Sequence, residues 1–212
     1  MKYLSIAMIG LMLTLWIFFA VREFRAAIRK PGWLRVVRLF AATCIGVGGL
    51  GFFGTALVAS SGVHLSFEWP VGYATDVVST KDNYFVVPHT PSGRVQVYDS
   101  KWKFVRGWSV EAGAGTFNLY ITDTNHIHVV TARRQMHYVY DLGGEMLSSE
   151  NYSSKGMNYS SFPKEGDSYL VPTPAWLWVF TSPFYSWLTG MIGIGLFVVI
   201  DKVKRKKRTH NL

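Results

Sequence analysis

The hydrophobic residues of this chain are concentrated in three long stretches on either side of one alternating region. The apolar stretches are residues 1–21, 39–59 and 176–200, and their central parts carry no charged residue. A helix needs about 20 apolar residues to cross a bilayer. The pattern therefore predicts three transmembrane α-helices.

Residues 60–175 have a different pattern, in which short runs rich in β-branched and aromatic residues alternate with turn residues. Such runs, bounded by Gly, Pro, Asn and Asp, predict antiparallel strands. We expect an all-β domain with one strand in front at residues 63–69 and eight more at residues 73–79, 83–88, 94–99, 103–110, 115–122, 125–131, 136–141 and 145–151.

The strand pattern recurs with a period of 42 residues. Residues 84–87 (YFVV) and 97–99 (VYD) are followed by residues 126–129 (HIHV) and 139–141 (VYD). A period in the forties is typical of four-stranded propeller blades. It divides the domain into units near residues 72–113 and 114–155, with a partial third unit at residues 156–172. Both faces of the middle strands are apolar, as stacked blades require.

Two segments resemble the ends of NHL-type propeller blades: GRVQVYDSKWKFV at residues 93–105 and HYVYDLGGEML at residues 137–147. The resemblance implies propeller-blade-like repeats and a binding surface, and it assigns no functional residue. A closed propeller usually has at least four blades. We therefore expect open apolar faces that a second copy or a protein partner covers; a compact sandwich or an open twisted sheet is the alternative.

The net charge of +9 lies outside the β region. Residues 60–182 contain 9 basic and 11 acidic residues, whereas the loop at residues 22–38 and the tail at residues 201–212 are strongly basic. The positive-inside rule places both basic segments in the cytoplasm. This predicts an external N-terminus and an extracytoplasmic β domain, with the bilayer rather than nucleic acid as the basic segments' partner.

Cysteine usage favours a bacterial inner membrane, with a periplasmic β domain. The one cysteine, Cys44, lies in the second apolar stretch, so the β domain contains no disulfide. Secreted eukaryotic domains of this size often carry disulfides.

Small and aromatic residues predict contacts of the helices. Two pairs of small residues in the second stretch, Ala42 with Gly46 and Gly51 with Thr55, stand four apart and would let another helix approach closely. Aromatic residues that begin the third stretch predict a belt at the membrane interface: Trp176, Trp178, Tyr185 and Trp187.

One cluster of residues has the composition of a metal site. If residues 132–135 form a four-residue turn, His137 pairs with Val130, and His126, His128, His137 and Asp141 share one face. Three histidines and a carboxylate suit zinc or another divalent ion, although packing between blades explains the histidines equally well. Arg133 and Arg134 at the same turn could bind an acidic partner or simply be solvated.

No catalytic motif accompanies these features, and no cofactor is expected beyond that metal. We expect a membrane-anchored binding module, which could be an accessory or assembly subunit of a membrane complex or an immunity-type inhibitor. The alternatives are a metal-dependent extracytoplasmic hydrolase that uses His126, His128 and His137, and a sensor that needs a separate signalling partner.

Overall fold

The computed structural model describes residues 2–29, 32–61, 67–113 and 115–209. The chain forms two compact units. The helical unit comprises Met1–Ser60 and Trp176–Leu212, and the β domain comprises Ser61–Ala175.

The helical unit contains three long helices, α1 (Lys2–Ile28), α2 (Trp33–Ser61) and α3 (Pro183–Thr209). Each contains a segment long and apolar enough to cross a membrane: Ile6–Ile28, Trp33–Leu57 and Pro183–Val203. These helices agree with the three apolar stretches of the sequence. Most of their large apolar side chains are exposed, as expected for helices whose solvent is lipid.

Helices α2 and α3 approach closely because small residues face each other. A Cβ atom added to Gly48 would lie 2.5 Å from the backbone nitrogen of Gly190. A Cβ atom added to Gly193 would lie 2.6 Å from the carbonyl oxygen of Ala41. Neither position has room for a side chain, so backbone packs against backbone, as is common in membrane helix pairs.

The four small residues singled out in α2 all have neighbours inside this unit. Ala42 and Thr55 are buried, and Gly51 lies against the side chain of Ser186. Gly46 faces the Cβ atom of Ala20 on α1. The face therefore meets helices of the same chain.

Two polar contacts add to the helix packing. The indole Nε1 of Trp16 on α1 donates a hydrogen bond of 2.6 Å to the carbonyl oxygen of Ile45 on α2. Arg38 near the start of α2 forms an ion pair with Asp201 on α3, and its guanidinium lies over the ring of Phe197. These charged residues lie at the ends of the apolar stretches, where their pairing links the two helices.

The β domain contains two antiparallel sheets. The first has five strands in the order β4-β3-β2-β1-β9, and the second has four in the order β5-β6-β7-β8. The strands are β1 (Tyr73–Ser79), β2 (Phe85–His89), β3 (Arg94–Tyr98), β4 (Phe104–Ser109), β5 (Phe117–Ile121), β6 (Ile127–Thr131), β7 (Met136–Tyr140), β8 (Met146–Asn151) and β9 (Asp167–Leu170).

Eight of these strands lie within two residues of the predicted ones, and two expectations fail. Residues 67–69 of the leading segment are not a strand, and residues 62–66 lie outside the described residues. The partial third unit contributes β9, which pairs with β1 in the first sheet instead of starting a sheet of its own. The segment between β8 and β9 forms two 3-10 turns, Tyr152–Lys155 and Tyr159–Ser161, and the side chain of Asn151 caps the first by accepting hydrogen bonds from the backbone of Ser153 and Ser154.

Backbone details recur 42 residues apart in the two sheets. A register shift follows Val97 in the first sheet and Val139 in the second. Left-handed backbone conformations occur at matching positions: Asn83 and Asn125, Gly93 and Gln135, and Trp102 and Gly144. The turns after β3 and β7 also match, since Asp99 and Asp141 each accept a hydrogen bond from the backbone nitrogen four residues later.

The two sheets stack on each other around the main core. We call the face of the first sheet that bears Val78, Val86, Val95 and Trp108 its forward face, and these residues are buried in that core. Leu119, Ile127, Val129, Tyr138 and Tyr140 of the second sheet form the opposite wall. The residues 42 positions before this opposite wall lie on the back face of the first sheet, not on its forward face. The sheets therefore stack front to back.

The close approach of α2 and α3 gives a first prediction. Gly48→Leu should destabilise the helix packing by about 1–3 kcal/mol, because the new side chain meets the backbone of Gly190. Thermal unfolding of the full chain in detergent measures this loss. Gly54→Leu is the matched control on the same helix, since no atom lies within 4 Å of a Cβ atom there. Equal melting temperatures for the two variants would contradict the packing described.

Candidate functional site

The forward face of the second sheet carries an unusual group of polar side chains. Tyr120 on β5, His128 on β6 and Glu150 on β8 lie there together with His137 on β7. The register agrees with the sequence prediction, because His137 pairs with Val130. In the first sheet, the residues 42 positions earlier are Val78, Val86, Trp108 and Val95, all apolar and buried.

Hydrogen bonds connect these four side chains. The Nδ1 atom of His128 lies 2.9 Å from Nε2 of His137, and the hydroxyl of Tyr120 lies 3.2 Å from the same Nε2 atom. The other ring nitrogen of His137, Nδ1, lies 3.4 Å from Oε1 of Glu150. Lys155 forms an ion pair with the second oxygen of Glu150.

The partners of His137 indicate its tautomer. A carboxylate only accepts hydrogen bonds, so the proton of a neutral His137 lies on Nδ1, next to Glu150. The single lone pair of Nε2 then faces Nδ1 of His128 and the hydroxyl of Tyr120. The imidazole is oriented by a carboxylate, as in many sites that use a histidine, but here its unprotonated nitrogen already contacts two protein groups.

Burial and neighbouring side chains determine the charge of the groups in this cluster. Burial is the main reason why the pKa of His128 falls from 6.5 to about 4, with the nearby charges of His137 and His126 adding to the effect. Burial also raises the pKa of Tyr120. The hydrogen bond from Lys155 is the largest of the effects that lower the pKa of Glu150. At neutral pH the cluster therefore contains a neutral His128, a protonated Tyr120 and an ionised Glu150.

The four-residue metal site predicted from the sequence is not formed. Among the described residues, no group of three or more His, Cys, Asp or Glu side chains could hold a metal ion. Asp141 instead closes its own turn, with Oδ1 accepting a hydrogen bond from the backbone nitrogen of Glu145 at 2.8 Å. His128 and His137 do meet, but their facing nitrogens are 2.9 Å apart, which is the distance of a direct hydrogen bond.

The segment that follows β8 covers part of this face. Tyr152 and Phe162 form a small core with Val130, and the ring of Phe162 lies 5.3 Å from that of His137. The side chain of His137 remains 12% exposed and that of Glu150 43% exposed. The cluster is therefore a partly open polar patch at one end of the stacked sheets.

The other predicted site residues lie elsewhere. Arg133 donates a hydrogen bond to the carbonyl oxygen of Gly113, and Arg134 forms an exposed ion pair with Glu111. Both contacts connect the β6–β7 turn to the segment between the two sheets. The four aromatic residues of the predicted belt are exposed or nearly so, before and within the first turns of α3: Trp176, Trp178, Tyr185 and Trp187.

Sequence reasoning missed three members of the cluster, Tyr120, Glu150 and Lys155. The sequence did contain a signal for Tyr120 and Glu150. They occupy the positions of Val78 and Trp108 in the preceding 42-residue unit, so polar residues replace apolar ones there. Lys155 follows the last strand of the unit and has no such signal.

No protein-family model matches this chain, and no curated protein matches it with significant similarity. The case for a function therefore depends on the geometry of the β domain itself.

The lowered pKa of His128 predicts a loss of stability in mild acid. The unfolded chain takes up this proton near pH 6.5, whereas the folded chain takes it up only near pH 4. Between these values the unfolded state holds more protons, so stability falls as the pH falls. With allowance for solvent screening of a partly exposed ring, the loss should be about 1–2 kcal/mol. Denaturant unfolding of the full chain at pH 7.5 and pH 4.5 measures it.

The matched control is His128→Val, which introduces the residue found at the corresponding position of the first sheet, Val86. This variant should lose less stability between the two pH values than the wild type. An equal loss in both proteins would show that other groups cause the acid sensitivity.

Proposed function

We propose that this protein is a membrane-anchored binding module whose β domain recognises another protein or an envelope component. The observation that carries the proposal is the contrast between the forward faces of the two sheets. In the first sheet this face is apolar and buried under its neighbour. In the second sheet the corresponding residues are polar, hydrogen-bonded to each other and partly exposed.

The contrast favours binding over packing. If the forward face of the second sheet served only for packing, we would expect apolar residues at these positions, like the three valines and the tryptophan of the first sheet. Burying the two imidazoles costs free energy that their hydrogen bonds only partly offset. Polar groups held in a fixed arrangement at a partly open surface give specificity to a binding site, because a partner must satisfy them in the same geometry.

The same geometry does not favour the hydrolase. His137 is oriented by Glu150, but its Nε2 atom is already in contact with the hydroxyl of Tyr120 and with Nδ1 of His128. Tyr120 is a poor nucleophile, since burial raises its pKa. The arrangement is better suited to holding polar groups in place than to attacking a substrate.

The architecture that we propose for the β domain is two propeller-blade-like repeats. Front-to-back stacking and backbone details that recur every 42 residues support it. The outer faces are less open than the sequence suggests. Residues 67–72 and 169–173 lie against the first sheet, and residues 152–162 lie against the second. Completion of a ring by flush stacking of a second copy would require these segments to move, so we favour a partner of a different kind.

Within this class, an accessory or assembly subunit, an immunity-type inhibitor and a sensor with a separate signalling partner all need such a binding face. The mass of the detergent-solubilised complex distinguishes a homo-oligomer from an assembly with another protein.

Site-specific photocrosslinking in cells tests the binding face. A photoreactive residue at Ser148, on the forward face of β8, should form an adduct with the partner. The same residue at Ser149, exposed on the other face of the same strand, should not. Combining the Ser148 probe with His128→Val and His137→Val should reduce the adduct to the level of the Ser149 probe. Equal adducts from both probes, or none from either, would contradict the proposed face.

We further propose that the β domain lies outside the cytoplasm of a bacterial cell and that α1 begins outside. The basic residues of the 22–38 loop and of the 201–212 tail support this orientation. The aromatic residues at the start of α3 suit the outer interface of the bilayer, where Trp and Tyr are enriched.

Cysteine labelling in intact cells tests the orientation. In a Cys44→Ala background, Ser100→Cys should react with a membrane-impermeant maleimide in intact cells, because Ser100 is exposed in the β domain. Arg29→Cys, at an exposed position in the basic loop, should react only after the membrane is permeabilised. The reverse pattern would show the opposite topology.

A further inference from the structure

Arg94 on β3 is a fully buried arginine without an acidic partner. Its exposed fraction is 0%, and it lies on the back face of the first sheet, opposite to the forward face. Among the described residues, no carboxylate lies within salt-bridge distance of its guanidinium. Residues 67–69 cover Arg94 and Gln96, and we call them the covering segment. Residues 62–66, which precede it, contain no Asp or Glu. The one acidic residue between Phe67 and Trp69, Glu68, interacts with the hydroxyl of Tyr98 on the same face of β3 and forms no ion pair with Arg94. The guanidinium therefore has no directly paired carboxylate.

The contacts of Arg94 leave most of its hydrogen-bonding capacity unused. Nη2 donates a hydrogen bond of 3.0 Å to the carbonyl oxygen of Phe67, whose ring lies 5.2 Å from the guanidinium carbon. Nε and Nη1 have no hydrogen-bond partner. Buried unpaired donors are rare in folded proteins and costly, and the cost is larger when the group is charged.

A second unpaired donor lies on the covering segment. The Nε1 atom of Trp69 is buried and has no acceptor. The backbone of this residue is held firmly by Gln96, which is two positions from Arg94 on the same face of β3. Oε1 of Gln96 accepts from the Trp69 nitrogen at 2.7 Å, and its Nε2 donates to the Trp69 carbonyl oxygen at 2.9 Å. All the unpaired groups here are donors, and what they lack is an acceptor.

The fold itself does not require an arginine at this position. The residue 42 positions later is Met136, which packs against the main core of the stacked sheets. The same strand position thus accepts an uncharged side chain of similar length. Burial lowers the pKa of Arg94 to about 10, so the group still carries its charge at neutral pH. Its presence is better explained by a ligand than by packing.

We propose that Arg94 and Trp69 bind a phosphate-type oxyanion, either free or as the headgroup of a lipid. Nη2 has a second proton besides the one it donates to Phe67, and with the unpaired Nε or Nη1 it forms one of the parallel donor pairs by which a guanidinium binds phosphate. The tetrahedral anion has further oxygens that can accept from an indole as well. The ligand would enter beside Phe67, whose side chain is 43% exposed. This site is on a different sheet from the binding face proposed above and does not depend on it.

Thermal unfolding of the full chain in detergent tests the proposal, with inorganic phosphate as the probe and chloride at equal ionic strength as the reference. A ligand that binds the folded state raises the melting temperature as its concentration rises. Phosphate also stabilises folded proteins in general, so we expect it to raise the midpoint of the wild type by more than that of Arg94→Met. Arg106→Met is the matched control, because Arg106 is an exposed arginine on the neighbouring strand β4 and its loss changes the net charge equally. It should respond to phosphate like the wild type.

A second arm identifies the source of the oxyanion. The same variants are unfolded in lipid nanodiscs of phosphatidylcholine alone or with added phosphatidic acid. The site is assigned to a lipid headgroup if phosphatidic acid raises the melting temperature and inorganic phosphate does not. Arg94→Met should abolish that rise. If Arg94→Met fails to fold, Arg94→Lys replaces it, since it keeps the charge but loses the planar donors and should weaken the response. No response to either probe, or an equal response in the wild type and the Arg94 variant, would overturn the proposal.

Discussion

Both faces of each sheet of the β domain carry buried apolar residues, and this constraint determines most of its architecture. A sheet of this kind is stable only when both faces are covered. One pair of faces is covered by the stacking of the two sheets, around Val86, Trp108, Leu119 and Val129. The other face of the first sheet is covered by the segments before β1 and after β9. The other face of the second sheet is covered by the segment between β8 and β9. The irregular segments of the domain thus take the place of neighbouring sheets.

The polar residues of greatest interest lie where this covering is irregular. A sheet packed on another sheet meets a regular array of side chains, and its residues are accordingly aliphatic or aromatic. The turns at residues 152–162 leave part of the forward face open, and His128, His137 and Glu150 lie there. On the opposite end of the stack, the segment at residues 67–69 covers Arg94 and leaves its Nε and Nη1 atoms unpaired. Both ends of the stack therefore carry chemistry that its centre lacks.

Much of the fold could be predicted from the pattern of residues, because that pattern reports local structure. The apolar stretches match α1, α2 and α3, and the alternating runs match β1 to β8. The pairing of His137 with Val130 follows from the length of one turn. The position of β9 could not be predicted, since pairing with β1 depends on contacts between residues about 95 positions apart, such as Tyr73 with Leu170.

The candidate site was only half predictable for a related reason. Sequence shows which residues share a face of a sheet but not how far apart their side chains are. Strand alternation predicts that His126 and Asp141 share the face of His128 and His137, yet both lie just outside β6 and β7, and the carboxylate of Asp141 is held by its own turn. Glu150 joins the cluster from β8, the strand next to His137. Arg94 gave no signal at all, because an arginine at the start of a strand is usually solvated, and only the covering segment makes it unusual.

The two ends of the β domain are tied to each other. The backbone nitrogen of Val171 donates a hydrogen bond of 2.8 Å to the carbonyl oxygen of Gly72, and the nitrogen of Gly72 donates one of 3.1 Å to the hydroxyl of Thr173. The chain therefore enters and leaves the domain at one point, although about 100 residues separate Gly72 from Thr173. Such a domain is a self-contained insertion between α2 and α3. Domains whose ends meet in this way tolerate circular permutation and transfer into other chains.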